Sequence, residues 1–316
     1  MKKNNQPIIG HIKGFLEYLD IEKGLSNKTQ ETYIRLLKKF SLWLEQNNLQ
    51  TILPHQLTEN HIRQYRVFLS QSFNKKTKEP LKRSTQNYYL IVLRNLLNYF
   101  TDQDITSLPC EKIKLAKSRI DERNIKFLTL EQIKKLLEMP KTSFITGMRD
   151  KAILETLFST GLRVAELVSL NKEQIRITSK TKDLEVVVIG KGNKPRPVYF
   201  SERAIIFLKL YLEKREDKEK ALFINYKGPK NASKRLSSRS IENIVKKYAI
   251  LAGVPIFTTP HVLRHSFATN LLSQGADLRE VQEFLGHRNI GTTQIYAHVT
   301  NKRLREIHRR FHGIKK

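Results

Sequence analysis

His261-Val-Leu-Arg264-His265, Leu285-Gly286-His287 and Thr292-Thr-Gln-Ile-Tyr296-Ala-His298 follow one another closely near the end of the chain. Histidines, an arginine and a tyrosine in so short a span, within a chain of net charge +28, suit chemistry on a phosphodiester. A guanidinium fork neutralises phosphate, imidazoles move protons near neutral pH, and a phenol can attack phosphorus. The set asks for neither a metal nor a nucleotide, and no cofactor is expected.

Working outward, a second arginine stands in Thr160-Gly-Leu-Arg163-Val-Ala-Glu166-Leu. Gly161 ends one helix, Arg163 opens the next, and Glu166 one turn on is placed to hold the guanidinium. Lys191 lies in Gly190-Lys-Gly-Asn193, a glycine-flanked turn from which an ammonium can reach a leaving oxygen. Taken singly, each residue also fits an ordinary role. Arg163–Glu166 reads as a surface pair, Lys191 as a hairpin tip, and the histidines and Tyr296 as packing residues. His265 is expected to support packing rather than chemistry. A phenol with a reference pKa of ~10 needs help to lose its proton, so Tyr296 would act only beside such cations.

The chain has 58 Lys and Arg against 30 Asp and Glu. Residues 1–108 carry 16 basic and 9 acidic side chains, and the remainder 42 and 21, so both halves are basic. That balance suits a polyanion bound through counterion release. Cys110 is the only cysteine, which excludes a disulfide scaffold or a cysteine-rich zinc site and fits a reducing cytoplasm. No apolar run of membrane-spanning length or signal-peptide core is visible, so membrane insertion is not expected.

The first hundred residues read as four helices. One runs from Ile8 to Leu19. Ser26 caps a second carrying Tyr33, Leu36, Leu37, Phe40, Trp43 and Leu44, and Thr58 caps a third with Ile62, Tyr65 and Leu69. Ser84 opens a fourth with Tyr88, Ile91, Val92, Leu96 and Tyr99, and the aromatic stripe is expected to be core. Residues 109–124 read as a basic linker. Beyond it, Thr129 with Gln132 has capping-box spacing, and a long helix is expected from about Ser143 to Ser159. Three short strands are expected at Ile175–Thr178, Leu184–Ile189 and Arg196–Phe200. The remainder reads as helical, with Ser238, Asp277 and Thr300 as caps, and Asn225 to Arg239 reads as a basic loop.

Together Thr160-Gly-Leu-Arg-Val-Ala-Glu-Leu, Gly190-Lys-Gly-Asn-Lys194, Pro260-His-Val-Leu-Arg-His-Ser-Phe-Ala-Thr269, Gly275-Ala-Asp-Leu-Arg-Glu-Val-Gln282, Leu285-Gly-His287 and Thr292-Thr-Gln-Ile-Tyr296 resemble the tyrosine recombinases, in particular the Xer group. Leu25-Ser-Asn-Lys-Thr-Gln-Glu-Thr-Tyr33 and Phe40-Ser-Leu-Trp-Leu44 extend the likeness to the first domain.

The resemblance implies a mainly α fold with a small β-sheet. A helical core-binding domain at 1–108 and a mixed α/β catalytic domain at 125–316 would close on DNA. It implies that Arg163 and Arg264 bind the scissile phosphate with Glu166 in support. Lys191 would be the acid for the 5′ leaving group, His261 and His287 would orient phosphate and assist proton transfer, and Tyr296 would be the nucleophile.

The expected partners are duplex DNA with a short inverted repeat, a homo- or hetero-tetramer on synapsed DNA, and a septal DNA translocase. The C-terminal helix, with Leu304, Ile307 and Phe311, is expected to dock in a neighbouring subunit. Chromosome or plasmid dimer resolution is the leading expectation. A mobile-element integrase, a type IB topoisomerase-like enzyme and a non-catalytic helical DNA-binding protein are the alternatives.

Overall fold

Apolar residues at three- and four-residue spacing wind the first hundred residues into helices, as the sequence suggests. The computed structural model describes residues 1–74, 77–116, 126–178, 180–190, 194–227 and 233–286. It divides into two units, Met1–Glu122 and Arg123–Lys316.

In the first unit a 3₁₀ turn, Ile8–His11, leads into α1 (Ile12–Ile21), followed by α2 (Asn27–Gln46), α3 (Glu59–Gln71) and α4 (Arg83–Asp102). Thr58 caps α3 by accepting the His61 N–H at 3.4 Å. The aromatic stripe is core: Tyr65 packs edge-on against Phe40 at 5.0 Å and beside Trp43 at 5.4 Å. Two expected members fall outside it. Tyr88 and Ile91, in the first turns of α4, are exposed, while Val92, Leu96 and Tyr99 are buried. That helix opens at Arg83, one residue before the expected Ser84.

The segment expected as a linker is partly built into this unit. Cys110–Lys112 forms a 3₁₀ turn, and Ile113 is completely buried in the helical core. Asn87 donates to the Ala116 carbonyl at 2.9 Å and accepts its N–H at 3.1 Å, as a neighbouring strand would. An apolar anchor and a paired backbone hold the stretch through Ala116 against α4.

The second unit begins with α5 (Leu130–Glu138), capped by Thr129 and Gln132 as their spacing predicts. Next, α6 (Ile145–Thr160) is enclosed by its neighbours and stops at Gly161, whose φ of +60° admits glycine readily. A short α7 (Val164–Ser169) leads to the antiparallel pair β1 (Leu184–Ile189) and β2 (Pro195–Phe200). Val186 faces Val198 across it, and alternate residues turn toward the core.

The third expected strand, Ile175–Thr178, is absent. Lys172–Gln174 closes a 3₁₀ turn there, and the neighbouring backbone pairs elsewhere: Lys172 N–H bonds the Lys220 carbonyl, and Leu222 N–H the Leu170 carbonyl. The described residues finish with α8 (Glu202–Glu213), α9 (Ser238–Leu251), α10 (Pro260–Gln274) and α11 (Leu278–Leu285). Asp277 caps α11 with Glu280 as expected, whereas α9 is capped by Ser237 rather than Ser238. The fold is thus mainly α with one small sheet. Among the described residues no helix is long and apolar enough to cross a membrane.

Candidate active site

Four of the seven residues singled out in the sequence are described, and the second unit gathers them. Arg163 is the residue before α7. Its backbone N–H donates to Glu166 Oε2 at 2.8 Å, and its guanidinium to Oε1 at 2.9 Å. The cation stays one-third exposed while the carboxylate is buried. The pair is therefore anchored at one end and open at the other, unlike a solvated surface bridge.

Arg264 is the counterpart in α10 and is almost wholly buried. Its guanidinium donates to the Gly161 carbonyl at 2.6 Å and also to the Leu285 carbonyl. These are carbonyls at the ends of α6 and α11, left without a partner inside the helix, where a cation is favoured. One side chain thus ties α10 to the ends of α6 and α11. The close approach explains Gly161 as well: a Cβ there would lie 2.5 Å from the Phe267 ring.

His261 sits exposed in the first turn of α10, behind the Thr259 cap and Pro260. Desolvation and then the charges of Arg264 and Arg163 hold its pKa below the ordinary value. One turn on, His265 meets it edge-on at 4.5 Å. Burial, His261 and Arg264 push His265 down to about 4, which leaves it neutral at physiological pH.

The buried Glu166 has another partner that the sequence reading missed. Arg196, on β2, places Nη1 at 2.9 Å from Oε1 and Nη2 at 2.8 Å from Oε2. Burial alone would raise this carboxyl. The Arg196 fork, the Arg163 N–H and the Arg163 guanidinium overcome that and bring it down to about 2. The only local signal for Arg196 was its place in an alternating strand, which says nothing of a partner 30 residues away.

Lys191, His287 and Tyr296 lie outside the described residues, as do Thr300, Leu304, Ile307 and Phe311. The residues just before Lys191 and His287 are described. Gly190 N–H bonds the Lys194 carbonyl at 2.8 Å, and Gly286 ends α11 with φ +62°. Among the described residues no cluster of three or more His, Cys, Asp or Glu could hold a metal ion.

Residues 126–303 match the phage integrase family, and residues 12–104 match the phage integrase N-terminal SAM-like domain. The chain belongs to the phage integrase family of tyrosine recombinases. It is 35% identical to the tyrosine recombinase XerD of Staphylococcus epidermidis, over 95% of this chain and 98% of that protein. Against XerD of Listeria innocua the identity is 37%, with the same coverage. Against XerC of Pelotomaculum thermopropionicum it is 34%, over 96% and 97%.

Solved structures share the fold. A XerH site-specific recombinase bound to its difH substrate matches with a TM-score of 0.72 at 23% identity, over 97% of each chain. The Tn1549 transposon integrase in complex with transposon right end DNA matches at 0.69 and 16%, over 95% and 99%. The protein is a site-specific, Xer-like tyrosine recombinase, an enzyme that cleaves and rejoins DNA strands.

Proposed function

We propose that Tyr296 attacks the scissile phosphate while Arg163 and Arg264 neutralise it, and that Lys191 protonates the 5′ oxygen that leaves. The Tyr296 Oη–P bond forms as the P–O5′ bond breaks. The phosphodiester energy is kept in a 3′-phosphotyrosine, so a 5′ hydroxyl from either duplex can reverse the step without ATP. His261 and His287 orient the phosphate and assist proton transfer. A neutral His261 beside two arginines suits a hydrogen-bonding or proton-accepting role.

The observation that carries this reading is that Arg264 bonds the Gly161 carbonyl, two residues before Arg163, so that two differently anchored arginines meet at the end of α6. Arg163 is fixed by a buried carboxylate while a third of its side chain stays exposed, and Arg264 is fixed by two helix-end carbonyls, so both planar cations are held in place where a phosphate would be met.

The first unit would hold the duplex. Arg63, Arg66, Arg83, Lys112 and Lys114 line one cleft between α3, α4 and the segment after Pro109, suited to a phosphate backbone. Two strand exchanges through a Holliday junction, in a tetramer on paired inverted-repeat sites, would recombine two duplexes. Resolution of chromosome or plasmid dimers in the cytoplasm, under a septal translocase, is the role we favour, because XerD and XerC relatives match along nearly their whole length.

The test is a duplex nicked beside the scissile phosphate, carrying the site that the protein protects in a footprint of its own genome. Wild type should be trapped covalently at the 3′ end, and Tyr296→Phe should bind equally without being trapped. An adduct with the phenylalanine variant would overturn the nucleophile assignment. No adduct with wild type would overturn the whole reading.

A further inference from the structure

Arg196 has no part in the chemistry above, yet it touches the approach to three of the residues assigned to it. We propose that Arg196 is a positioning residue that fixes Glu166 beneath Arg163 and joins the β1–β2 hairpin to the end of α11. The proposal rests on the functional reading above.

The geometry is specific. Glu166 receives four donors on two oxygens: Oε1 takes Arg163 Nη1 and Arg196 Nη1, and Oε2 takes the Arg163 N–H and Arg196 Nη2. The carboxylate is thereby saturated, and its only freedom is to leave the set. Arg196 is itself nine-tenths buried with its fork committed to Glu166, so it acts through that carboxylate and not on phosphate directly.

Its remaining contacts face the other two approaches. Nε reaches the Phe284 carbonyl at 3.4 Å, and the stem fills the space above Gly286, where a Cβ would lie 2.7 Å from Arg196 Cδ. Gly190, on the near side, would bring a Cβ within 3.2 Å of Nη1. Lys191 follows Gly190 and His287 follows Gly286 in the chain. One guanidinium therefore references the anchors of the first arginine, the strand-turn lysine and the second histidine to one another. Lysine offers a point charge without the fork and cannot make this set.

The experiment compares wild type, R196K, R196M, E166Q and the double variant R196M/E166Q. Covalent trapping is read on the nicked duplex, site binding by mobility shift, and folding by circular dichroism. Loss of placement by about an ångström can cost ~10²-fold in rate, so R196M should trap roughly 10²-fold more slowly while binding changes little. R196K should recover only part of the loss.

Because the two residues act as one unit, the double variant should be scarcely slower than E166Q alone. A pH profile separates positioning from plain scaffolding. Among the described residues, Arg163 and Arg196 are the charged groups that face Glu166, and Gly190 brings only backbone near it. Without Arg196, only the Arg163 donors oppose burial, so the carboxyl rises from its wild-type value. Trapping by R196M should then fall further as the solution turns mildly acidic, a limb absent from wild type and from R196M/E166Q.

If R196M fails to fold, R196K and the double variant, which bury no unpaired carboxylate of that kind, decide the matter by the same rates. Normal trapping by R196M or by R196K, or losses for R196M and E166Q that multiply, would overturn the proposal. If wild type itself is never trapped, the failure belongs to the functional reading and not to Arg196.

Discussion

In the first unit the large enclosed side chains are aromatic, among them Phe15, Phe40, Trp43, Tyr65 and Phe100, whereas the second encloses Arg149, Asp150, Lys151, Glu155, Glu166 and Arg264. The first arrangement joins helices chiefly by apolar area, with few bonds such as Asn95 to Tyr33, and apolar contact tolerates small shifts. The second spends charge on backbone. Arg149 donates to the Ile224 carbonyl, Lys151 to that of Leu137, and Arg264 to those of Gly161 and Leu285. Several of these carbonyls end helices, where they have no partner within the helix. Charged bonds of this kind fix direction as well as distance. The unit that carries the proposed site is thus braced by bonds with a defined geometry, and the other chiefly by close-packed rings.

Trp43→Ala is the harshest test of the aromatic side of that contrast. The indole is 2% exposed and packs against Phe40 and Tyr65. Its removal leaves a cavity that rigid neighbouring rings fill poorly, and should cost ~3–5 kcal/mol in urea denaturation followed by first-unit probes. A loss below ~1 kcal/mol would mean that the rings are not what holds these helices together.

Glu166 tests the ionic side through pH. Its folded pKa of about 2 lies below the ordinary 4.5, so its stabilising contribution is complete above the ordinary value and is lost as pH falls through the folded one. The difference corresponds to roughly 3 kcal/mol, lost between pH ~5 and ~2. The stability gap between wild type and Glu166→Gln, measured by denaturation at a series of pH values, should narrow steadily over that range. A gap that does not change with pH would show that the carboxylate is not held ionised by its arginines.

How much of this was legible in the sequence follows from the kind of interaction. Helices with periodic apolar faces were readable, as were the caps at Thr58, Thr129 and Asp277, because each signal lies within four residues. Arg163, Glu166, His261 and Arg264 were marked by short motifs, and the second unit holds all four. Ile113 was not readable: a basic segment with one isoleucine gives no period, and only the tertiary core shows that it is an anchor. The false strand at Ile175–Thr178 failed because β-propensity without a partner edge is not a strand, and the adjacent backbone is paired to Lys220 and Leu222. Arg196 was invisible for the same reason, since nothing near it in sequence announces Glu166.

The finest comparison uses one substitution in both units. Tyr248, on α9, donates its hydroxyl to Asp150 Oδ2 at 3.0 Å, while Arg149 occupies Oδ1. Tyr65, on α3, buries its hydroxyl with no hydrogen-bond partner among the described residues. Burial raises both phenol pKa values, so both are neutral hydroxyls near pH 7, and replacement by phenylalanine removes one oxygen from each while keeping the ring. At Tyr248 the change strips a donor from an enclosed carboxylate and should cost roughly 1–2 kcal/mol. At Tyr65 it removes a polar group that was desolvated without return, and should be neutral or stabilise by up to ~1 kcal/mol. Equal losses from Tyr248→Phe and Tyr65→Phe in the same denaturation experiment would erase the contrast, because the two cores would then depend on their hydroxyls alike.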